Sequence, residues 1–228
     1  MQDRILIIDF GSQVTQLIAR RVREMNTYCE IHPFNNLPEI TDDVIGIILS
    51  GSPCSVLQDN APTVDVDKLS QHAPILGICY GAQLIAHLNK GRVEKSSKRE
   101  YGRALLDKVI SDAPLFNGID TGSQVWMSHG DSIKEIPDTF NILASTESIP
   151  VAAYEYNGTA KEHPVYGVQF HPEVTHSTIG SDLIRNFIVG VCKSTQAWTS
   201  DSFIDSTVEK LKAQLGDDHV VLGLSGGV

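Results

Sequence analysis

Three runs in this chain are apolar almost without a break: RILIID (4–9), VIGIILSG (44–51) and PILGICYG (74–81). A strand with one wet face alternates apolar and polar residues, so an unbroken run has to be covered on both faces. Helical patterns lie between such runs. SQVTQLIARRVREMN (12–26) places apolar residues at 14, 17, 18 and 22, with Ser12 positioned as its N-cap. YGAQLIAHL (80–88) and DLIRNFIVGVCK (182–193) have the same periodicity. Strands alternating with helices predict an α/β fold with a mixed, mostly parallel sheet flanked by helices. The middle third, with QVWMSHGD (124–131), NILAST (141–146), VAAYEY (151–156) and PVYGVQFHPE (164–173), is richer in strand than in helix, so part of the sheet is expected to be antiparallel.

The pattern changes near Ser194. STQAWTSD (194–201) is polar and turn-prone, and SFIDSTVEKLKAQLG (202–216) places apolar residues 203, 204, 208, 211 and 215 on one helix face with Gly216 as its C-cap. HVVLGLSGGV (219–228) then reads as a buried strand entering a Gly-Gly turn, the opening of a second domain. The expected division is residues 1–193 and 194–228.

A formal charge of −10 argues against a nucleic-acid backbone or an anionic membrane as partner. No apolar run approaches the roughly 20 residues that span a bilayer, and the acid-flanked N-terminal run has no signal-peptide character. Four cysteines, Cys29, Cys54, Cys79 and Cys192, stand far apart without zinc-finger spacing. They predict neither a disulfide framework nor a structural zinc, and point to a reducing, cytoplasmic setting.

Gly77-Ile78-Cys79-Tyr80-Gly81 is the thiol counterpart of the G-x-S-x-G nucleophile elbow, in which a strand turns sharply into a helix. Glycines there allow close approach of neighbouring backbone, and the following helix aims its free N–H groups at the sulfur. The turn alone is also compatible with a packing cysteine at a glycine-rich strand end. A nucleophile needs a base, and a base needs an orienting group. Among the histidines, His32 reads as a loop residue, His72 and His87 as helix-surface residues and His219 as a strand cap. His171 closes an apolar strand, and Glu173 follows at i+2, on the same side of an extended chain. Pro172 between them disfavours helix at His171. A solvated acid beside a strand-end histidine is the plainer alternative.

Taken together, GICYGAQ (77–83) and GVQFHPE (167–173), with DFGSQ (9–13) and ILSGSP (48–53), resemble the class I, triad-type glutamine amidotransferases. The resemblance implies a flavodoxin-like fold and a glutaminase working without a cofactor. Its triad would be Cys79, His171 and Glu173, with Gly51 and Tyr80 donating backbone N–H groups to an oxyanion. Gln83 and the Ser128-His129-Gly130-Asp131 segment would hold the amino-acid end of glutamine. His129 is assigned to positioning rather than to catalysis. The family loop usually reads Ser-Gly-Gly-Pro; here Ser52 brings a Cβ and a more restricted backbone.

WMSHGD (126–131), HPEVTHS (171–177) and the terminal LSGGV (224–228) narrow the resemblance to the branch that aminates xanthosine monophosphate (XMP). There, Ser225, Gly226, Gly227 and Val228 would open the ATP phosphate loop of a C-terminal synthetase domain using ATP and Mg, and the full-length protein would be a homodimer. A glutaminase subunit of another pathway, or a binding module that keeps only the fold, remain the alternatives.

Overall fold

The computed structural model describes residues 3–216, 218–221 and 223. They divide into two units, one running to Ala197 and one from Trp198 on. In the first unit, β1 (Arg4–Asp9), α1 (Thr15–Glu24), β2 (Tyr28–Pro33), β3 (Val44–Leu49), α2 (Val66–Leu69), β4 (Ile75–Ile78) and α3 (Tyr80–Leu88) alternate as expected. Next come β5 (Arg92–Val109), β6 (Gln124–Glu135), β7 (Phe140–Thr146), β8 (Ala153–Tyr156), β9 (Val165–Val168) and α4 (Gly180–Arg185). α4 continues into a π-helical turn over Asn186–Val191.

The nine strands among the described residues form one sheet in the order β2-β1-β3-β4-β9-β8-β7-β5-β6. The first five are parallel neighbours and the rest pair antiparallel. The unbroken apolar runs work as read. Ile5, Ile7, Ile48, Leu76 and Ile78 face a core shared with α1, α4 and the π turn. Leu6, Ile8, Ile47, Leu49 and Ile75 face a second core shared with α2 and α3. Each strand residue therefore leaves water on one face or the other, and a charge in any of them would be stranded.

Several local expectations change. Ser12 does not cap α1. Its Oγ accepts from Val14 N–H at 3.2 Å, and the helix begins at Thr15 behind Val14. The cause is Asp9, whose Oδ1 accepts from Gly11 N–H, Ser12 N–H and the Thr15 hydroxyl at 3.0, 3.2 and 2.6 Å, holding residues 9–14 as a loop. His32 lies in edge strand β2, where Glu30 partners its ring, rather than in a loop. His72 sits in the turn after α2, whereas His87 is exposed on α3 as expected. β2 and the eighteen-residue β5 had no apolar run to announce them. β5 pairs with β6 through its backbone at Arg92–Lys95 and again at Glu100–Leu105.

In the second unit, α5 (Ser200–Leu215) starts in a capping box between Thr199 and Ser202 and stops at Gly216, whose φ of +52° suits the glycine C-cap. Residues 218–221 and 223 form no strand, and Val220 and Val221 are exposed. A strand needs a partner ladder, and the described residues of this unit contain only a helix. His219 therefore caps nothing. Ser225, Gly226, Gly227 and Val228 lie outside the described residues.

Candidate active site

Three adjacent strands end at one place. β3 runs into Ser50-Gly51, β4 into Cys79, and β9 into Gln169-Phe170-His171. The ends of parallel strands beside one another are where open α/β sheets place ligands. β4 and β9 pair through Ile78 and Val168, and Cys79 N–H extends that ladder onto Val168 C=O at 2.8 Å. The sheet itself thus fixes how far the thiol stands from the base.

Cys79 sits at φ 52°, ψ −101°, a conformation side chains rarely adopt, directly before α3. Both flanking glycines are required by space. A Cβ on Gly77 would come within 2.6 Å of the Gly81 backbone, and one on Gly81 within 2.5 Å of Leu49 C=O. The turn therefore presses nucleophile, helix start and neighbouring strand together. Tyr80, at the first position of α3, leaves its N–H without an acceptor among the described residues, and so does Gly51. A Cβ on Gly51 would lie 3.4 Å from His171 Cε1, so this N–H belongs to the backbone that lines the base.

His171 Nδ1 contacts Glu173 Oε1 at 2.6 Å, the two being 7% and 1% exposed. The i, i+2 spacing does what the sequence reading expected. Burial alone would lower the His171 pKa. The nearby Cys79 sulfur and the Glu173 carboxylate, which is hydrogen-bonded to Nδ1, overcome burial and raise it well above the usual value. Both neighbours favour the protonated ring.

A cavity of about 980 Å³ opens over these groups, lined among others by Cys79, Gln83, Ser128, His129, Gly130, Asp131 and His171. The structure thus brings Cys79, His171 and the predicted glutamine-holding residues to one cavity, with Glu173 buried against the His171 ring. Gln83 makes two internal contacts. Its Nε2 donates to Asp131 C=O at 2.8 Å and to Gln169 Oε1 at 3.3 Å, so it also braces the strand that carries Ser128–Asp131. His129 is 4% exposed, and burial pulls its pKa down to about 4, leaving the ring neutral.

Ser52 does not take the left-handed backbone of a glycine. Its hydroxyl donates to Phe10 C=O at 2.8 Å and accepts from Cys54 N–H at 3.2 Å. Ser50 Oγ accepts from Phe10 N–H at 3.0 Å. The departure from the family loop therefore adds a stitch between the 50–53 loop and the end of β1.

Sequence reasoning missed Gln169. It lies two residues before His171 on the same extended segment, and its Nε2 approaches Cys79 Sγ at 4.0 Å. The i, i+2 rule that linked His171 to Glu173 could have found it. Ser177 was also missed, for its contacts are to backbone and leave no pattern in sequence.

The chain is 58% identical over all 228 residues to a glutamine-hydrolysing GMP synthase of Cytophaga hutchinsonii, and 56% identical to one of Bacteroides fragilis. It spans about 44% of the length of each. A solved glutamine amidotransferase of Thermotoga maritima superimposes with a TM-score of 0.68 over 85% of this chain and all of its own, at 17% identity, which supports the fold alone. A solved Thermoplasma acidophilum protein, proposed to be one component of a GMP synthase, is 28% identical, with a TM-score of 0.66 over 91% of this chain and 98% of its own. The family description glutamine amidotransferase class-I matches residues 6–191, and with that span covering the whole site the chain belongs to the class I glutamine amidotransferases.

Proposed function

We propose that this chain is the glutaminase part of a GMP synthase. It would release ammonia from glutamine for ATP-dependent amination of XMP by a C-terminal synthetase domain, with ATP and Mg bound there and the whole assembled as a cytoplasmic homodimer. The observation that carries the glutaminase step is His171, held between Cys79 and Glu173 beside two free backbone N–H groups. The relatives' shared name supports the choice of acceptor.

In this reading the Cys79 thiolate attacks the side-chain amide carbon of glutamine. The carbonyl oxygen becomes an oxyanion, which Gly51 N–H and Tyr80 N–H stabilise. His171, already protonated, gives its proton to the departing nitrogen, and ammonia leaves a glutamyl thioester on Cys79. The ring, now neutral, takes a proton from water as that water attacks the thioester. Glutamate leaves and the thiolate–imidazolium pair is restored. Glu173 keeps one ring nitrogen occupied, so the other always faces sulfur, and it stabilises the positive ring. Gln83, Ser128, His129, Gly130 and Asp131 contact the amino-acid end, where the cavity has room for it.

The test uses the full-length protein. Cys79→Ala should abolish glutamine-dependent GMP formation while ammonium-dependent formation from XMP and ATP persists. Loss of both in a folded variant would overturn the division of labour, and retention of glutamine use would overturn the nucleophile.

A further inference from the structure

The His171-Pro172-Glu173 segment has to keep an imidazole aimed at a sulfur on another strand, yet β9 ends at Val168, three residues earlier. What grips the segment beyond the sheet is visible in its backbone bonds. His171 N–H donates to Trp126 C=O at 3.0 Å. Two extended residues facing each other this way would normally close the pair with a second direct bond, from Trp126 N–H to His171 C=O. Here the second bond is relayed. Trp126 N–H donates to Ser177 Oγ at 2.9 Å, and Ser177 Oγ donates onward to His171 C=O at 2.6 Å. The hydroxyl is an inserted link in a two-bond ring, and Ser177 is only 5% exposed.

We propose that Ser177 is a positioning residue for the base: its hydroxyl holds the His171 peptide at one bond's remove from β6, and that spacing aims the imidazole at Cys79. The proposal rests on the glutaminase reading for its kinetic readout, though not for its chemical one.

The surroundings leave the hydroxyl little freedom. Gln124 Nε2 donates to His176 C=O at 2.8 Å and Thr178 N–H donates to Gln124 C=O at 3.1 Å, so the residues on either side of Ser177 are tied to the same strand. The Trp126 and His176 rings lie against each other with centroids 4.4 Å apart. Gly180 N–H donates to Ser177 C=O at 3.0 Å. With both neighbours fixed, the Oγ sits in place and passes one hydrogen bond in and one out, as a hydroxyl can and a methyl cannot. Removing it leaves a buried N–H and a buried C=O facing each other across a gap. The cheapest repair is for them to close and bond directly. That movement draws the His171 peptide toward β6 and swings the ring away from the sulfur. Glutamine binding, assigned to Gln83 and residues 128–131 and not to His171, should hardly change.

The experiment compares Ser177→Thr with Ser177→Val in the full-length protein, since the two differ only by the hydroxyl in question. Ser177→Val should lower glutaminase kcat by about 10- to 100-fold, in line with an ångström-scale misplacement of a catalytic group. Its KM for glutamine should stay within about threefold, and ammonium-dependent synthesis should not change. Ser177→Thr should keep most of the parent kcat. Iodoacetamide labelling of Cys79 against pH gives a readout that a merely structural role would not move. The parent and Ser177→Thr should share one profile, and Ser177→Val should show a different one, because the ring no longer stands as it did beside the sulfur. Thr146→Val serves as comparison, because it removes another buried hydroxyl contact, to Ile149 N–H in the turn after β7. Equal kcat and equal labelling profiles for Ser177→Thr and Ser177→Val would overturn the proposal. So would losses in Ser177→Val that Thr146→Val reproduces. If the parent protein hydrolysed no glutamine, the glutaminase reading would fall, and the labelling profiles would still decide the role of Ser177.

Discussion

Replacing Cys79 by glycine should leave the fold more stable than replacing it by alanine, the reverse of the usual order. Both substitutions remove the sulfur, so their difference isolates the Cβ. At φ 52° and ψ −101° the residue sits near the first central position of a type II′ turn, which glycine dominates. Backbone strain of this kind costs about 1–3 kcal/mol, and this point, outside the left-handed helical well, belongs in the upper part of that range. Two effects oppose the relief. Glycine loses more freedom on folding, which costs about 0.4–1 kcal/mol. The alanine methyl, at a site only 5% exposed, gains about 0.8 kcal/mol by burial. Glycine should still come out ahead by about 1 kcal/mol. Urea unfolding followed by far-ultraviolet circular dichroism measures this directly, provided the two variants share one denaturant slope. An alanine variant equal to or more stable than the glycine variant would hold the strain at or below the roughly 1–2 kcal/mol of those opposing effects, short of the upper range assigned to it. The link between a strongly strained elbow and the presentation of the nucleophile would then be lost.

Glu173→Gln should lower glutaminase kcat by about 10²–10⁴-fold, because the amide touches the ring without stabilising its charge. His171→Ala should be more damaging in the same steady-state assay, and equal losses would mean that Glu173 does more than orient. His129 gives a pH effect. Its pKa falls from the ordinary 6.5 to about 4 in the fold, so the unfolded chain binds the extra proton first. Stability should therefore drop as pH falls from 6.5 toward 4, by up to about 3 kcal/mol, and His129→Asn should flatten that limb in urea titrations at several pH values. His171, whose pKa is raised, contributes with the opposite sign: its part is present below 6.5 and is lost as pH rises through the folded value. Gly180→Ala should destabilise the fold by about 1–3 kcal/mol and lower kcat together, because a Cβ there would stand 1.9 Å from Pro172 C=O, between His171 and Glu173. A variant with parental stability and rate would contradict that close approach.

What could be read in the sequence was what burial and short spacing write there. The runs in β1, β3, β4 and β9 are apolar because both faces are covered, and the elbow is legible because its glycines are forced by contacts under 3 Å. The His171–Glu173 pair is legible because two residues along an extended chain share a side. β5 was not, since a ribbon paired through its backbone can carry RVEKSSKREYGRALLDKV with almost any side chains on its wet face. The α1 boundary was misplaced because Asp9, three residues upstream of Ser12, binds Gly11 N–H, Ser12 N–H and the Thr15 hydroxyl and so holds residues 9–14 as a loop. Ser52 looked like a liability, and only its distance to Phe10 C=O turns it into a stitch.

The site's economy of parts follows from strand order. The Ser50-Gly51 backbone, the thiol and the base leave three neighbouring strands, β3, β4 and β9, at the same end. Neighbouring strands stand about 4.8 Å apart, so groups one to three residues past their ends are brought close together. The sheet supplies distance; it does not supply aim. Aim is left to short-range devices that act after the strands stop: the strained φ at Cys79, the Glu173 carboxylate on the His171 ring, and the Ser177 hydroxyl behind its carbonyl. Substitutions within the strand cores should therefore cost stability before rate, whereas substitutions among these devices should cost rate at nearly constant stability. The contrast between Ser177→Val and Thr146→Val draws that line, since each removes one buried hydroxyl and only one of the two sits behind the base.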